Sequence, residues 1–487
     1  MNNLPAKVAS AARWSVLNTV VVRIGNFATG VILARYFLSP YDFGLYAVGA
    51  VMLAVLLSAN EMGVSLAIVR WEGDVRRFAP TVLTLSTASS LLLYVALWVC
   101  APWAASALGS PAAIDVLRVL CLTVVIDGIA CVPAGLLTRE FRQGARMIID
   151  LLIFVVSTGV TMALAVAGFG AMSFAWGAVA GNMVGLIATA VAAPGMLRFG
   201  WHREIAKRLL RFGLPLAGAS LLVLAMVNVD SLVVGAALGP AALGFYQIAS
   251  NMAGWPVRTI SEAARRVSFA GFSRVAEGGQ SMADGYTRAL GVLMSVAVPA
   301  CVLLGTLAEP LIRAVYGEQW TPAAAALRFL AALGLIRVAY ELTYDCLVAA
   351  GHRKLLMGVQ AIWLATLVPV LILMVHPFGI AGVASGHVLV GVLVVIPIFG
   401  WALARAGIAP RAIARQVGRP FLGGIAVALT GWLVFHVVGR GLLGLAVAGI
   451  ASLVVYVPFI LPLLRSTRPS RPPEPEPVLA VAEQVVG

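Results

Sequence analysis

The sequence predicts an all-α polytopic membrane protein of about 14 transmembrane helices, built as two six-helix pseudo-repeats followed by two further helices. Three observations predict it. Hydrophobic residues make up 61% of the 487 and charged residues only 11%, with a mean hydropathy of +0.98, whereas a soluble surface usually carries about 25 to 35% charged side chains. Fourteen continuously apolar runs are each long enough for a hydrocarbon core of about 30 Å, which needs about 20 helical residues. The basic residues, 34 Lys and Arg against 20 Asp and Glu, alternate with those runs along the chain.

In order, the runs fall at residues 12–36, 42–67, 79–103, 114–138, 146–167, 171–193, 209–238, 241–264, 285–308, 323–348, 355–375, 379–403, 417–438 and 441–464. None shows the period-two polarity of a membrane β-barrel strand. Lipid offers the backbone no hydrogen-bond partner, so a continuous apolar run crosses it as a helix. Met1 to Ser15 has no short apolar core with a small-residue cleavage site, so a cleaved secretory signal is not expected. Cys100, Cys121, Cys131, Cys301 and Cys346 lie in or beside apolar runs without C-x-x-C spacing or a histidine partner, and read as small core residues.

Lys and Arg gather in short cytoplasmic loops, which tests the count. Numbering the connections in order, the N-terminus and the even connections hold Lys7, Arg13, Arg76, Arg77, Arg142, Arg203, Lys207, Arg265, Arg266, Arg353, Lys354, Arg411 and Arg415, among others. The odd connections and their flanks hold only Arg35, Arg118, Arg313, Arg328 and Arg440. Both termini are therefore expected in the cytoplasm. The basic balance is a topology signal, so no nucleic-acid partner is expected. On the odd side, Gly239-Pro240 and His376-Pro377 are barely more than turns, which leaves no room for an external catalytic domain. Beyond Leu464 the composition turns to Arg, Ser and Pro, and residues 466–487 read as a disordered Pro-rich cytoplasmic tail.

The chain also repeats. At an offset of 200, Leu38, Pro40, Gly44, Tyr46 and Met52 match Leu238, Pro240, Gly244, Tyr246 and Met252. At 209, Phe169, Gly170, Ala175, Gly177 and Val179 match Phe378, Gly379, Ala384, Gly386 and Val388. Span 1 thus pairs with 7 and span 5 with 11. The expected organisation is an N-terminal six-helix lobe at 1–200, a C-terminal six-helix lobe at 201–404 and two additional transmembrane helices at 405–465. Six is even, so both copies keep one orientation, and such halves commonly rock about a site at their interface.

Leu33-Ala34-Arg35 followed by Pro40, then Phe43-Gly44-Leu45-Tyr46, Glu61-Met62-Gly63, and Gly244-Phe245-Tyr246 with Arg274 after span 8, resemble the Wzx-type polysaccharide flippases. These belong to the multidrug, oligosaccharidyl-lipid and polysaccharide exporter (MOP) superfamily. Ser39 stands where a glycine is expected before Pro40, and Ala270 where a proline often precedes Phe272-Ser273-Arg274. The resemblance implies a non-enzyme that flips a polyprenyl-pyrophosphate-linked oligosaccharide across the bacterial inner membrane. The product pathway would be a surface polysaccharide such as lipopolysaccharide O-antigen or exopolysaccharide, with a polymerase and glycosyltransferases as partners. No cofactor is implied.

An ionised side chain at the centre of a span costs about 2.5 to 3.5 kcal/mol on insertion scales, so it turns to a partner or a wet cavity. Span 1 carries Thr19, Arg23, Asn26 and Gly30 at helical spacing; span 8 carries Gln247, Asn251, Gly254, Arg258 and Glu262; span 10 carries Arg337, Glu341 and Asp345. Asn228 and Asp230 lie on span 7 and Glu61 on span 2. One reading places Arg23 and Arg258, with Asn26 and Arg337, in a cavity facing an anionic headgroup, since guanidinium stays charged and forks onto phosphate oxygens. The resemblance carries the pyrophosphate role to Arg23 and Arg258. The competing reading makes Arg258 with Glu262, and Arg337 with Glu341, structural i,i+4 pairs. Arg35 and Arg313 read as interface anchors, and an isolated His387 gives no proton relay.

No G-x-x-x-x-G-K-[ST] occurs, so ATP hydrolysis does not drive this chain. An H+ or Na+ gradient is the substitute, with Glu61, Asp230, Glu262, Glu341 and Asp345 as candidate carriers. Two alternatives compete. A cationic-drug exporter of the same superfamily would want an acidic, aromatic cavity, which the arginines oppose. A membrane polymerase or glycosyltransferase would need larger polar loops, and only the stretch around Glu309, Arg313, Glu318 and Trp320 offers any.

Overall fold

The computed structural model describes residues 4–60, 75–140, 142–277, 282–439 and 441–466, and every regular element among them is helical. Spans 1 to 6 are Leu4–Tyr36, Pro40–Asn60, Val75–Ala107, Ile114–Arg139, Gln143–Val166 and Met172–Ala192. Spans 7 and 8 are one run, Arg203–Glu277, broken at Gly239. Spans 11 and 12 run through Arg353–Val390, broken at Gly379, then a π-helical stretch, Gly391–Val395, and Ile396–Arg405. Spans 9, 10, 13 and 14 are Met282–Thr306, Ala323–Ala349, Pro410–Val438 and Leu442–Ser466.

Eleven stretches are long and apolar enough to cross a membrane. Two of them contain a glycine break and so hold two crossings each, and Leu4–Tyr36 supplies one more. The described residues thus carry the 14 helices expected of this multi-pass membrane protein. The expected end of span 2 beyond Asn60, with Glu61, and the expected disordered tail from residue 467 lie outside the described residues.

Two details differ from expectation. The turn between spans 11 and 12 falls at Gly379 (φ 59°, ψ −142°), not at His376-Pro377. A proline keeps a helical φ, whereas only glycine takes a positive φ at low cost, so the bend moves to the glycine. The ninth connection is not loop alone: it folds as a short helix, Ala308–Val315, and a 3-10 turn, Glu318–Trp320.

The chain packs as two compact units. The first comprises residues 1–253, 308–330 and 361–391; the second comprises 254–307, 331–360 and 392–487. Lipid removes the hydrophobic drive between helices, so close packing of small residues holds them. In the first unit, a Cβ on Gly177 or Gly181 of span 6 would lie 2.8 Å from the Ser157 carbonyl or 3.0 Å from the Ile153 carbonyl of span 5. At the other end of this unit Phe78, Val82 and Leu83 of span 3 cluster with Val132 and Leu209. There Thr81 Oγ1 accepts the His202 N–H (3.0 Å) and Thr84 Oγ1 the Gly200 N–H (3.1 Å), fixing the approach to span 7.

In the second unit, Gly424 of span 13 leaves room for Val298 of span 9, and Ser452 Oγ of span 14 donates to the Val427 carbonyl (3.2 Å). Cys121, Cys301 and Cys346 are buried and Cys131 is half-buried, but Cys100 is exposed. The exposed face of a span meets apolar lipid, where a thiol is tolerated.

Candidate functional site

The odd connections numbered 1 to 11 all belong to the first unit, and there the two sequence repeats meet. Span 2 starts with Ser39 as its cap: the Asp42 N–H donates to Ser39 Oγ (3.2 Å), and Ser39 N–H and Oγ donate to Asp42 Oδ2 (3.0 and 2.6 Å). Pro40 follows at the first helical position, which needs no N–H. That capping role accounts for a serine where the family resemblance expects glycine. Asp42 Oδ1 also accepts the Ala171 N–H (3.2 Å), tying span 2 to span 6.

Opposite, Pro240 starts span 8. A Cβ on Gly44 would lie 2.8 Å from Pro240 Cα, and one on Gly244 would lie 2.9 Å from the Pro40 carbonyl carbon and 3.2 Å from Gly44 N. Over this crossing sits Trp320, fully buried. Its Nε1 donates to the Ala34 carbonyl (2.8 Å), as does Gln319 Nε2 (2.7 Å). The indole packs edge-on against Phe43 (5.1 Å) and Phe245 (6.0 Å). Arg35 donates to the carbonyls of Ala314 and Val315, the C-terminal end of the short helix, where a cation is favoured. Arg313 pairs with Glu309 (3.4 Å) and Glu318 (3.7 Å). These two arginines, expected as membrane-interface anchors, also brace the ninth connection. Tyr316, also buried there, has its phenol pushed up to about 12 by burial and stays neutral.

Deeper in the first unit lie three polar sites. Arg23 is half-buried and Asn26 exposed on span 1, beside Gly25, which packs on the Phe154 ring of span 5. Five residues before Arg23, Asn18 Nδ2 donates to Asp150 Oδ2 of span 5 at 2.6 Å. Asp150 lines a cavity of about 120 Å³ with Asp127, Arg146, Asn182 and Thr189, room for a few waters but not for a sugar chain.

The third site is fully internal. Asp230 of span 7 accepts from Tyr246 Oη of span 8 (2.9 Å) and from the Ser231 N–H (2.7 Å), and His387 Nε2 of span 12 stands 3.7 Å from Asp230 Oδ2. Asn18, Asp127, Asp150 and His387 were not singled out from the sequence as site residues. The signal for them was the same as for Arg23, a polar side chain inside an apolar span, but their partners lie on distant helices.

In the second unit, the exposed Arg258 folds back along span 8. A Cβ on Gly254 would lie 2.9 Å from its Nη2, so the glycine one turn earlier clears the path of the guanidinium. Arg337 is exposed, and Glu341 and Asp345 are half-buried on span 10. Arg337 and Glu341, one helical turn apart, are not ion-paired with each other. The Glu262 side chain lies outside the described residues. A cavity of about 260 Å³ in this unit is walled by Tyr286, Met294, Tyr340, Phe399 and Phe421 with other apolar groups; it suits a hydrocarbon, not a phosphate.

Polar groups embedded in a bundle of small-residue-packed membrane helices, with the two sequence repeats meeting where Gly44 and Gly244 seat on Pro240 and Pro40, define a membrane-transporter architecture. The protein family described as "Polysaccharide biosynthesis protein" matches residues 32–325, more than half of the chain, and the chain belongs to that family. Lipopolysaccharide biosynthesis protein WzxC of Escherichia coli (strain K12) is 22% identical over 400 residues, 80% of this chain and 80% of that protein. Succinoglycan biosynthesis transport protein ExoT of Rhizobium meliloti (strain 1021) is 27% identical over 327 residues, 65% of this chain and 64% of that protein. The fold matches a structure of lipid II flippase MurJ in its inward closed conformation with a TM-score of 0.75 at 15% identity, over 93% of this chain and 99% of that one.

Proposed function

We propose that this protein is a flippase that carries a polyprenyl-pyrophosphate-linked oligosaccharide across the inner membrane for surface polysaccharide assembly. It works without enzymatic chemistry, by alternating access between lobes 1–200 and 201–404, with helices 405–465 appended and both termini cytoplasmic. Family membership and the names of its relatives support the cargo class. The observation that carries the mechanism is the reciprocal seating of Gly44 on Pro240 and Gly244 on Pro40. It joins equivalent points of the two repeats by backbone contact, with Trp320 packed over it, a closure that can part without breaking a buried ion pair. With positive-inside topology this closed end faces away from the cytoplasm.

In this reading Arg23 and Arg258, aided by Asn26 and Arg337, engage the pyrophosphate, because the forked guanidinium matches its oxygens. An H+ or Na+ gradient drives the cycle through acidic groups, among which Asp230, Glu341 and Asp345 have described side chains and Glu61 and Glu262 complete the set. Glycosyltransferases would supply the cargo and a polymerase would receive it. The test is complementation: in bacteria lacking their own flippase, expression of this protein should restore surface polysaccharide. In reconstituted vesicles, a labelled lipid-linked oligosaccharide should cross leaflets. Absence of both, with the protein inserted, would sink the reading.

A further inference from the structure

We infer that Asp230, Tyr246 and His387 form a proton-binding site, and that the proton is the ion whose gradient drives transport. This rests on the flippase reading above and deepens it by naming the ion and the groups.

All three side chains are buried, at 6%, 0% and 4% exposure. They come from spans 7, 8 and 12 and lie within one compact unit. Tyr246 Oη (2.9 Å) and the Ser231 N–H (2.7 Å) donate to the two carboxylate oxygens, and His387 Nε2 stands 3.7 Å from Oδ2. Carrying one proton on the imidazole, the pair is a neutral imidazolium and carboxylate. After losing it, the pair bears one negative charge held by two neutral donors. The change in net charge occurs where the dielectric is low, so it biases conformation strongly. Histidine is the side chain whose unperturbed titration lies in the range a cell's gradient spans. A sodium ion would want a shell of oxygens, and an imidazole supplies a nitrogen that becomes cationic in acid.

Span 7 contributes Asp230 and span 8 contributes Tyr246; span 12 has no other ionisable group before Arg405, and His376 at the end of span 11 is exposed. The site is also joined to the closure. Tyr246 follows Gly244 by two residues, so the hydroxyl that holds Asp230 belongs to the helix turn seated on Pro40. A change of charge at Asp230 alters the pull on that turn.

The full-length protein in lipid vesicles provides the test. Infrared titration with labelled histidine should show an imidazole transition that His387→Gln removes and Asp230→Asn shifts to lower pH, because an imidazolium losing its anion loses its proton sooner. Tyr246→Phe, which keeps the ring packing, should shift it as well. Movement of labelled lipid-linked oligosaccharide should rise several-fold under an imposed pH gradient and not under a sodium gradient. In His387→Gln and Asp230→Asn the ratio of rates with and without the pH gradient should fall to unity.

Wild-type stimulation in either variant, or stimulation by sodium alone, overturns the inference. So does wild-type movement that ignores both gradients, although the flippase reading survives that outcome. If the imidazole transition behaves as expected but the wild type moves no lipid under any gradient, the flippase reading fails while the proton site stands.

Discussion

Gly44 and Gly244 occupy the same place in the two halves of the sequence, and in the structure each is seated on the proline that begins the other's helix. A methyl group on Gly44 would stand 2.8 Å from Pro240 Cα, and one on Gly244 would stand 2.9 Å from the carbonyl carbon of Pro40. Backbone cannot yield as a flexible side chain does. Gly44→Ala and Gly244→Ala should therefore force the two helix starts apart and cost about 1 to 3 kcal/mol of stability. Melting temperature in detergent reports the cost, and surface polysaccharide in complemented cells reports lost transport. If both alanine variants behave as wild type, the closure plays no part.

Trp320 is the keystone of the same end of the first unit, buried and hydrogen-bonded to the Ala34 carbonyl at 2.8 Å. Trp320→Ala should destabilise by about 3 to 5 kcal/mol, as truncation of large buried aromatics does. Trp320→Phe keeps a ring against Phe43 and Phe245 but removes the donor, so it should cost much less. Gln319 still reaches the same carbonyl. Equal melting temperatures for the two variants would contradict this ranking.

Arg258 is predicted to be indispensable for transport and neutral for insertion. Arg258→Ala should abolish surface polysaccharide at normal membrane levels, and Arg258→Lys should recover only part, since an ammonium lacks the fork. Gly254→Leu is the geometric companion: its added Cβ would stand 2.9 Å from Nη2, displacing the guanidinium while leaving its charge intact. Reduced transport is expected there too. Full transport in Arg258→Ala would remove this residue from the site.

The fold was legible because lipid allows an apolar chain so little choice: each run of about 20 apolar residues had to be a helix, and the arginines set the count. What escaped were features too short for that argument. The helix Ala308–Val315 is eight residues long, less than half a crossing, and Gly379 took the bend expected at His376-Pro377. The site was legible one helix at a time. Polar side chains at Arg23, Asp230 and Arg258 announce themselves inside apolar spans, but no periodicity within a helix reveals that Asp230 meets His387 or that Asn18 meets Asp150. His387 stands alone in the sequence, yet in space it is next to a carboxylate. The helical spacing of Arg337 and Glu341 suggested an ion pair that the side chains do not form.

The Asn18 and Asp150 pair lends itself to a double-mutant cycle. Asn18 Nδ2 donates to Asp150 Oδ2 at 2.6 Å, a short charge-assisted bond between spans 1 and 5 at the edge of a polar cavity. Deleting one partner strands the other: Asn18→Leu leaves a carboxylate short of a donor, and Asp150→Leu leaves an amide without its acceptor. Each single change should cost about 1 to 3 kcal/mol, because a partly buried polar group loses its charge-assisted partner. The double change removes both polar groups together and should cost less than the sum of the two, with a coupling of about 0.5 to 3 kcal/mol. Thermal or denaturant unfolding in detergent measures all four corners. Additive costs would show that the bond holds neither helix, and that the pairing of spans 1 and 5 depends on packing such as that of Gly25 on Phe154 alone.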